Sequence, residues 1–189
     1  RLFLPGEIGL GRTFGIEGNQ ANYLARVMRV GEGDAVILCD DVTGEWLSRV
    51  TQVDKRRVDL MVERNLKPRE SVPDFWLCPA LLKKDRFDLV LEKATELGVA
   101  AIRPLVTRRC VADKLNLERA RTITTEAAEQ CARTALPQLA DPVKLDTLLA
   151  SWPEGRALFF ADEKGGAPAA EAFAAHTGPA AILTGPEGG

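Results

Sequence analysis

DFWLCPALLKKDRFDLVLEKATELGVAAIRPLV, residues 74–106, reads as strand, turn, helix and strand in close succession. Its first nine residues are an apolar run of strand length. Phe87, Val90, Leu91, Ala94 and Leu97 then recur at helical spacing; Asp85 or a neighbour stands where a cap belongs, and Gly98 supplies a stop. VAAIRPLV comes next as a second strand. Repeated along a chain, such a unit builds a mostly parallel sheet with helices on its faces.

The pattern does repeat toward the C-terminus. LNLERARTITTEAAEQCAR predicts an amphipathic helix over Leu117–Arg133, with Leu117, Ala120, Ala127, Ala128 and Cys131 to bury. A short helix around LDTLLASW, the strand RALFFA, the helix PAAEAFAAH and the strand AAILT complete it. Parallel sheets bind ligands beyond the carboxyl ends of their strands. Three segments project there: Lys83–Asp85, Asp162–Gly166 and Thr184–Gly189.

Toward the N-terminus the texture changes. RLFLP, TFGI, DAVILCD, EWLSRVTQV and RRVDLMVE are short strand-like runs bounded by turn signals such as GEGD and DVTGE. Val58, Leu60 and Val62 alternate with Asp59, Met61 and Glu63, the pattern of a half-exposed strand. Only GNQANYLARVMRV reads helical, with Tyr23, Leu24, Val27 and Met28 on one face. Several short strands with one helix predict a small β-barrel over residues 1–70. Lys67–Pro73, with two prolines, is the linker to a second domain over residues 74–189.

Composition narrows the chemistry. A hydrophobic fraction of 46% and a charged fraction of 28% are those of a globular protein, and no apolar run approaches a membrane span. Cys39, Cys78, Cys110 and Cys131 are widely spaced, without a C-x-x-C pair, and read as reduced, mostly buried thiols of a cytoplasmic protein. The single histidine, His176, ends a predicted helix, which disfavours a His-based metal site or a Ser-His-Asp triad; no metal is expected. With a net charge of −2, nucleic acid would have to be met by local patches. Arg26 and Arg29 flank Val27 and Met28; Lys83 and Lys84 stand at the sheet edge, and Arg108 and Arg109 come just after another strand. Phosphate contact and simple solvation are both open to these side chains on composition alone.

RVMRVGEGDAVILCD, PRESV, LLKKDRFDLVLEKATELGV, EAAEQCAR and ILTGPEGG occur in this order along the chain. Taken together they resemble the RsmE family, bacterial enzymes that methylate uridine N3 in small-subunit (16S) ribosomal RNA. The resemblance spans essentially the whole sequence. It implies a PUA-like N-terminal β-barrel that binds RNA, then an α/β SPOUT domain with a trefoil knot that dimerises and binds S-adenosylmethionine in the knot loops. LTGPEGG would be one of those loops, with Leu183, Thr184, Gly185, Glu187 and Gly188 as cofactor-binding positions and Glu163 bordering the same pocket. Glycine allows close backbone approach there, and Pro186 fixes the path. Arg26, Arg29, Lys83 and Arg109 are the expected RNA contacts.

Family members continue beyond GPEGG through a last, arginine-containing knot loop, so the catalytic residues are expected outside the present sequence. The implied reaction is direct methyl transfer from a sulfonium to uracil N3, in which alignment is the chief task. If the N3 pKa lies about two units above neutrality, having the anion ready costs ~3 kcal/mol, which a cation near the uracil carbonyls offsets. The uridine must be exposed or flipped to be reached. A nucleotide- or NAD-binding α/β enzyme and a non-catalytic RNA-docking module are the rival readings. The first lacks a glycine-rich turn after the first strand of the α/β half.

Overall fold

The computed structural model describes residues 1–162 and 164–185 of the chain. It divides into two compact units. One comprises Arg1–Ser71 with Glu129–Ala135, the other Val72–Ala128 with Leu136–Gly189.

The first unit is a curled five-stranded sheet, a half-barrel. Its strands are β1 (Leu2–Phe3), β2 (Thr13–Glu17), β3 (Ala35–Asp40), β4 (Gly44–Val53) and β5 (Arg57–Lys67), in the order β1-β3-β4-β5-β2. All neighbours are antiparallel except β1 and β3. The alternation in β5 is realised: Val58, Leu60 and Val62 are buried with Leu38, Val36 and Ile16, while Met61 faces out.

The helical segment departs from expectation. It is a short α1 (Gly18–Asn22) continued at once by a π-helix, Tyr23–Val27, in which the Met28 amide reaches back to the Tyr23 carbonyl at 2.9 Å. A π turn holds more residues than an α turn and rotates the side chains beyond it. Ala21 and Leu24 therefore take the core positions, and Tyr23, Val27 and Met28 are turned outward.

Two devices close this unit. Fully buried Asp40 accepts hydrogen bonds from the amides of Ile8 (2.7 Å), Val42 (2.6 Å) and Thr43, and from the Thr43 hydroxyl. Burial alone would raise its pKa. The Thr43 hydroxyl and amide, with the Ile8 and Val42 amides, outweigh that and hold the carboxyl below its ordinary value. Glu70 gathers Glu129–Ala135 into the unit, accepting from the amides of Thr134 (2.9 Å) and Ala135 (3.3 Å) and pairing with Arg133 at 2.9 Å. The Glu70 amide in turn donates to the Thr134 hydroxyl.

The second unit carries the parallel sheet. Its strands β6 (Phe75–Pro79), β7 (Ala101–Ile102), β9 (Gln138–Leu139), β11 (Ala157–Phe160) and β12 (Ala180–Thr184) lie in the order β11-β12-β6-β7-β9, all parallel. The expected strand VAAIRPLV is broken at Arg103-Pro104, where proline has no amide for a ladder. Its second half becomes β8 (Leu105–Val106), which pairs with β10 (Val143–Lys144).

Helices α2 (Lys84–Leu97) and α3 (Leu117–Cys131) cover one face, burying Phe87, Leu91, Ala94 and Ala120 with Leu81 and Ile102. Gly98 ends α2 in the left-handed conformation, φ 77°, as its position predicts. Lys83, not Asp85, holds the N-cap position, and Leu97 points into solvent beyond the covered turns. Lys93 pairs with Glu92 and Glu96 on the outer face. In α3 the buried set is Ala120, Thr124, Ala127 and Ala128, whereas Cys131 is exposed: the helix stops there and Ala132 turns left-handed, φ 62°. The other face packs Cys78, Ala181 and Leu183 against Leu148 of α4 (Leu145–Ala150), while α5 (Ala169–Ala174) sets Phe173 on Phe75 and Phe159.

Candidate functional site

The sheet gathers its chemistry at one edge. Because β11, β12 and β6 run parallel, their carboxyl ends come out side by side, with Phe160 beside Leu183, and Thr184 beside Pro79. The main chain is stitched beyond the strands: the Ala161 amide donates to Leu183 (3.1 Å), and the Ala80 amide to Thr184 (2.9 Å). The exit of β6 is joined to the next segment by the Leu81 amide on the Leu105 carbonyl, 2.8 Å.

The expected cofactor positions fall into two sets. Leu183, Thr184 and Gly185 converge on this edge, whereas Glu163, Glu187 and Gly188 lie outside the described residues. The side chain of Leu183 is turned into the core, only 6% exposed, so its main chain alone reaches the edge. Thr184 is half-buried. Gly185 is exposed, and a Cβ built on it would meet nothing within 4 Å. Its lack of a side chain is not required by the protein's own packing.

One residue at this edge escaped the sequence reading. Phe159 faces α5, its ring 4.8 Å from that of Phe173, so Phe160 must point to the opposite face. There, on the outermost strand, it is 63% exposed. The paired phenylalanines in RALFFA carry this signal, since alternation on an edge strand obliges one of them to face out. An exposed aromatic ring and an open glycine at the ends of neighbouring strands suit a ligand with a flat apolar part and a chain that needs close backbone approach. The residues present therefore fit an adenosyl cofactor.

Lys83 follows β6 at this edge, whereas Arg109 follows β8, which pairs with β10 in a separate two-stranded sheet. Lys83 is exposed and its carbonyl accepts the first amides of α2, from Arg86 and Phe87 at 3.0 Å. Arg109 lies, exposed, in the turn after β8, which the amide of Cys110 closes on the Thr107 carbonyl at 3.2 Å. Arg26 and Arg29 belong to the other unit, exposed on the π-helix and just after it. His176 stands just after α5, its Nε2 3.2 Å from the Pro179 carbonyl and its ring against Phe159.

Nucleophilic cysteine chemistry has no support here. Cys78, beneath the edge, is buried and its thiol is pushed up to about 11 by desolvation, with Arg103 and Arg156 acting weakly in the other direction. Among the described residues no group of three or more His, Cys, Asp or Glu side chains comes together to hold a metal ion. No described helix is long and apolar enough to cross a membrane.

Comparison with known proteins bears on both units. Residues 69–189 match the model of an RNA methyltransferase domain, and residues 16–63 that of an RNA methyltransferase PUA domain. The chain is 32% identical to the ribosomal RNA small subunit methyltransferase E of Bacillus subtilis over 144 residues, covering 72% of this chain. It is 32% identical to the protein of the same name from Synechocystis over 196 residues, covering all of it. The chain spans 56% and 64% of the lengths of those two relatives. Among solved structures, ribosomal RNA small subunit methyltransferase E of Neisseria gonorrhoeae, bound to S-adenosyl methionine, superposes with a TM-score of 0.87. That match is 26% identical and covers 100% of this chain and 79% of the other.

Proposed function

The chain belongs to the RNA methyltransferase family whose domain model spans its residues 69–189, and from that membership we propose that it methylates N3 of a uridine in 16S ribosomal RNA, with S-adenosylmethionine as donor. The observation that carries this reading is the carboxyl edge of the parallel sheet. It presents Thr184, Gly185 and Phe160 together, in a chain that superposes along its whole length on a relative solved with that cofactor.

The α/β unit is then of SPOUT type, its knot loops including Leu183–Gly185 together with Glu187, Gly188 and Glu163. The main chain at Thr184 and Gly185 approaches the cofactor, and Phe160 offers it an apolar wall. Bound there, the cofactor supplies a methyl group on a sulfonium, already activated for transfer. The protein's share is alignment, exclusion of water and help with the N3 proton. A cation facing the uracil carbonyls favours loss of that proton, and Lys83 and Arg109 are the candidates for it within the present sequence, secondary to the arginine-containing loop that the relatives carry beyond it. The PUA domain, through Arg26 and Arg29, holds the RNA. The protein works as a homodimer in the cytoplasm, with no metal.

The test is transfer itself. Small ribosomal subunits isolated from cells lacking the methylation are incubated with the full-length protein and methyl-labelled cofactor, and the nucleosides are analysed by mass spectrometry. N3-methyluridine is expected; no label in RNA, or label on another atom, overturns the reading. Light scattering at micromolar concentration is expected to give a dimer, and a monomer rejects that part.

A further inference from the structure

The half-barrel contains a cleft that no expected site residue except Arg26 touches. Its volume is about 1030 Å³. One wall is the helical segment, with Asn22, Ala25 and Arg26; the other is the β4–β5 turn, with Lys55, Arg56 and Arg57. Strand pairing explains the juxtaposition. Glu17, the last residue of β2, lies opposite Arg57, the first of β5, so the helix leaving one strand faces the turn entering the other. The Asp54 amide on the Arg57 carbonyl, 2.8 Å, closes that turn.

The charges in the cleft are unequally committed. Arg57 is held by Asp59 at 2.8 Å and by Glu17 at 3.2 Å, its guanidinium lying over Gly15, where any Cβ would collide with it. That arrangement also satisfies Glu17. Asp54 takes the Gln52 side-chain amide at 2.8 Å. Arg26, Lys55 and Arg56 are exposed and form no ion pair among the described residues. The sequence up to residue 72 is charge-balanced, so these three cations are a local feature, not part of a basic field.

The backbone here is unusual too. Arg26 sits on the π-helix, an irregularity frequent at functional sites, and Arg29 just beyond has φ 55°, uncommon for a residue with a side chain. The same turns expose Tyr23, Val27 and Met28 at 46%, 67% and 57%. Those three side chains lie outside the cleft's lining; within it, exposed cations along a groove are what the phosphates of a single-stranded nucleic acid need.

We propose that this cleft is a binding groove for a single strand of RNA, its phosphates held by Arg26, Lys55 and Arg56. The inference rests on the reading of the chain as a ribosomal RNA methyltransferase and deepens it by locating the RNA contact on the β4–β5 turn.

The test is binding of a short, mixed-sequence, single-stranded RNA oligonucleotide to the full chain across a salt series, for the parent protein, for Lys55→Ala/Arg56→Ala, and for Arg64→Ala. Arg64 is an exposed cation on the same strand, about 23 Å from Arg57 at strand spacing. Loss of two phosphate contacts should lower affinity at low salt about tenfold and flatten the log–log salt slope by about 1.4. Arg64→Ala should leave both as they were. Parent-like affinity and slope in the double variant overturn the proposal. So do an equal loss in Arg64→Ala and a parent protein that does not bind the RNA. Calorimetry with S-adenosylmethionine separates the levels: retained cofactor binding with an RNA result of that kind rejects the groove alone, whereas no cofactor binding by the full-length protein rejects the methyltransferase reading.

Discussion

The carboxylate of Asp40, at the end of β3, lies 2.7 Å from the backbone amide of Ile8, thirty-two residues earlier and itself buried. That bond, with those to Val42 and Thr43, anchors the loop between β1 and β2 to the β3–β4 turn. An acceptor of this kind is costly to lose, because the abandoned Ile8 amide is buried without a partner.

Asp40→Asn is expected to destabilise the protein by about 2–4 kcal/mol at neutral pH, measured by urea denaturation. The effect should depend on acid. The folded-state pKa is depressed, so the carboxylate's contribution is complete above its unfolded value and is lost as pH falls through the folded one. The gap between parent and variant should therefore narrow on acidification; a constant gap would argue against a charged acceptor.

Gly44→Ala should be comparably damaging. Gly44 has φ 104°, and a Cβ there would run into the main chain at Lys67, Pro68 and Arg69. Backbone cannot step aside as a side-chain tip can, so a loss of about 2–4 kcal/mol is expected. A melting temperature equal to the parent's would show that the close approach is not maintained in solution.

Gly185→Ala should separate stability from binding. The position has open space around it, so thermal stability should not change. If the cofactor is approached by this stretch of main chain, affinity should fall at least tenfold, about 1.4 kcal/mol by calorimetry. Unchanged affinity would remove Gly185 from the binding loop.

Thiol chemistry should be graded by burial. Cys39 and Cys78 are buried, with desolvation raising both to about 11, so at pH 8 about one thiol in a thousand is ionised at either. Cys131 is exposed. Titration of the native protein with a disulfide reagent should show Cys131 reacting promptly, while Cys39 and Cys78 wait for denaturant. Prompt modification of either buried thiol would contradict the packing.

Much of the architecture is legible in the sequence because it rests on local periodicity. Val58, Leu60 and Val62 mark their strand by alternation, and Gly98 marks the end of α2 by its freedom at positive φ. The order strand, helix, strand implies the parallel sheet, and with it the edge where Thr184 and Gly185 emerge. The hidden features depend on long-range partners or hydrogen-bond register. Nothing local distinguishes a π turn at Tyr23–Val27 from an α turn, so periodicity assigns the wrong face to the core. Pro104 is visible, but its division of one strand between two sheets needs the partner β10. The Lys55-Arg56 turn looks like ordinary punctuation until the pairing of Glu17 with Arg57 sets it opposite Arg26.

Glu70 reaches Thr134 and Ala135, so the half-barrel draws on chain that is translated late. On a ribosome adding about 5–20 residues per second, residues 72–135 take roughly 3–13 s to emerge after Ser71. For that interval the nascent half-barrel has its sheet but not its clasp, with the carboxylate of Glu70 still in water. The unit that comes first in the gene thus cannot be finished until about half of the second has been made. A destabilising change in Arg133–Ala135 should show itself in synthesis, as a longer window for aggregation or proteolysis, before it shows itself in the activity of molecules that have already folded.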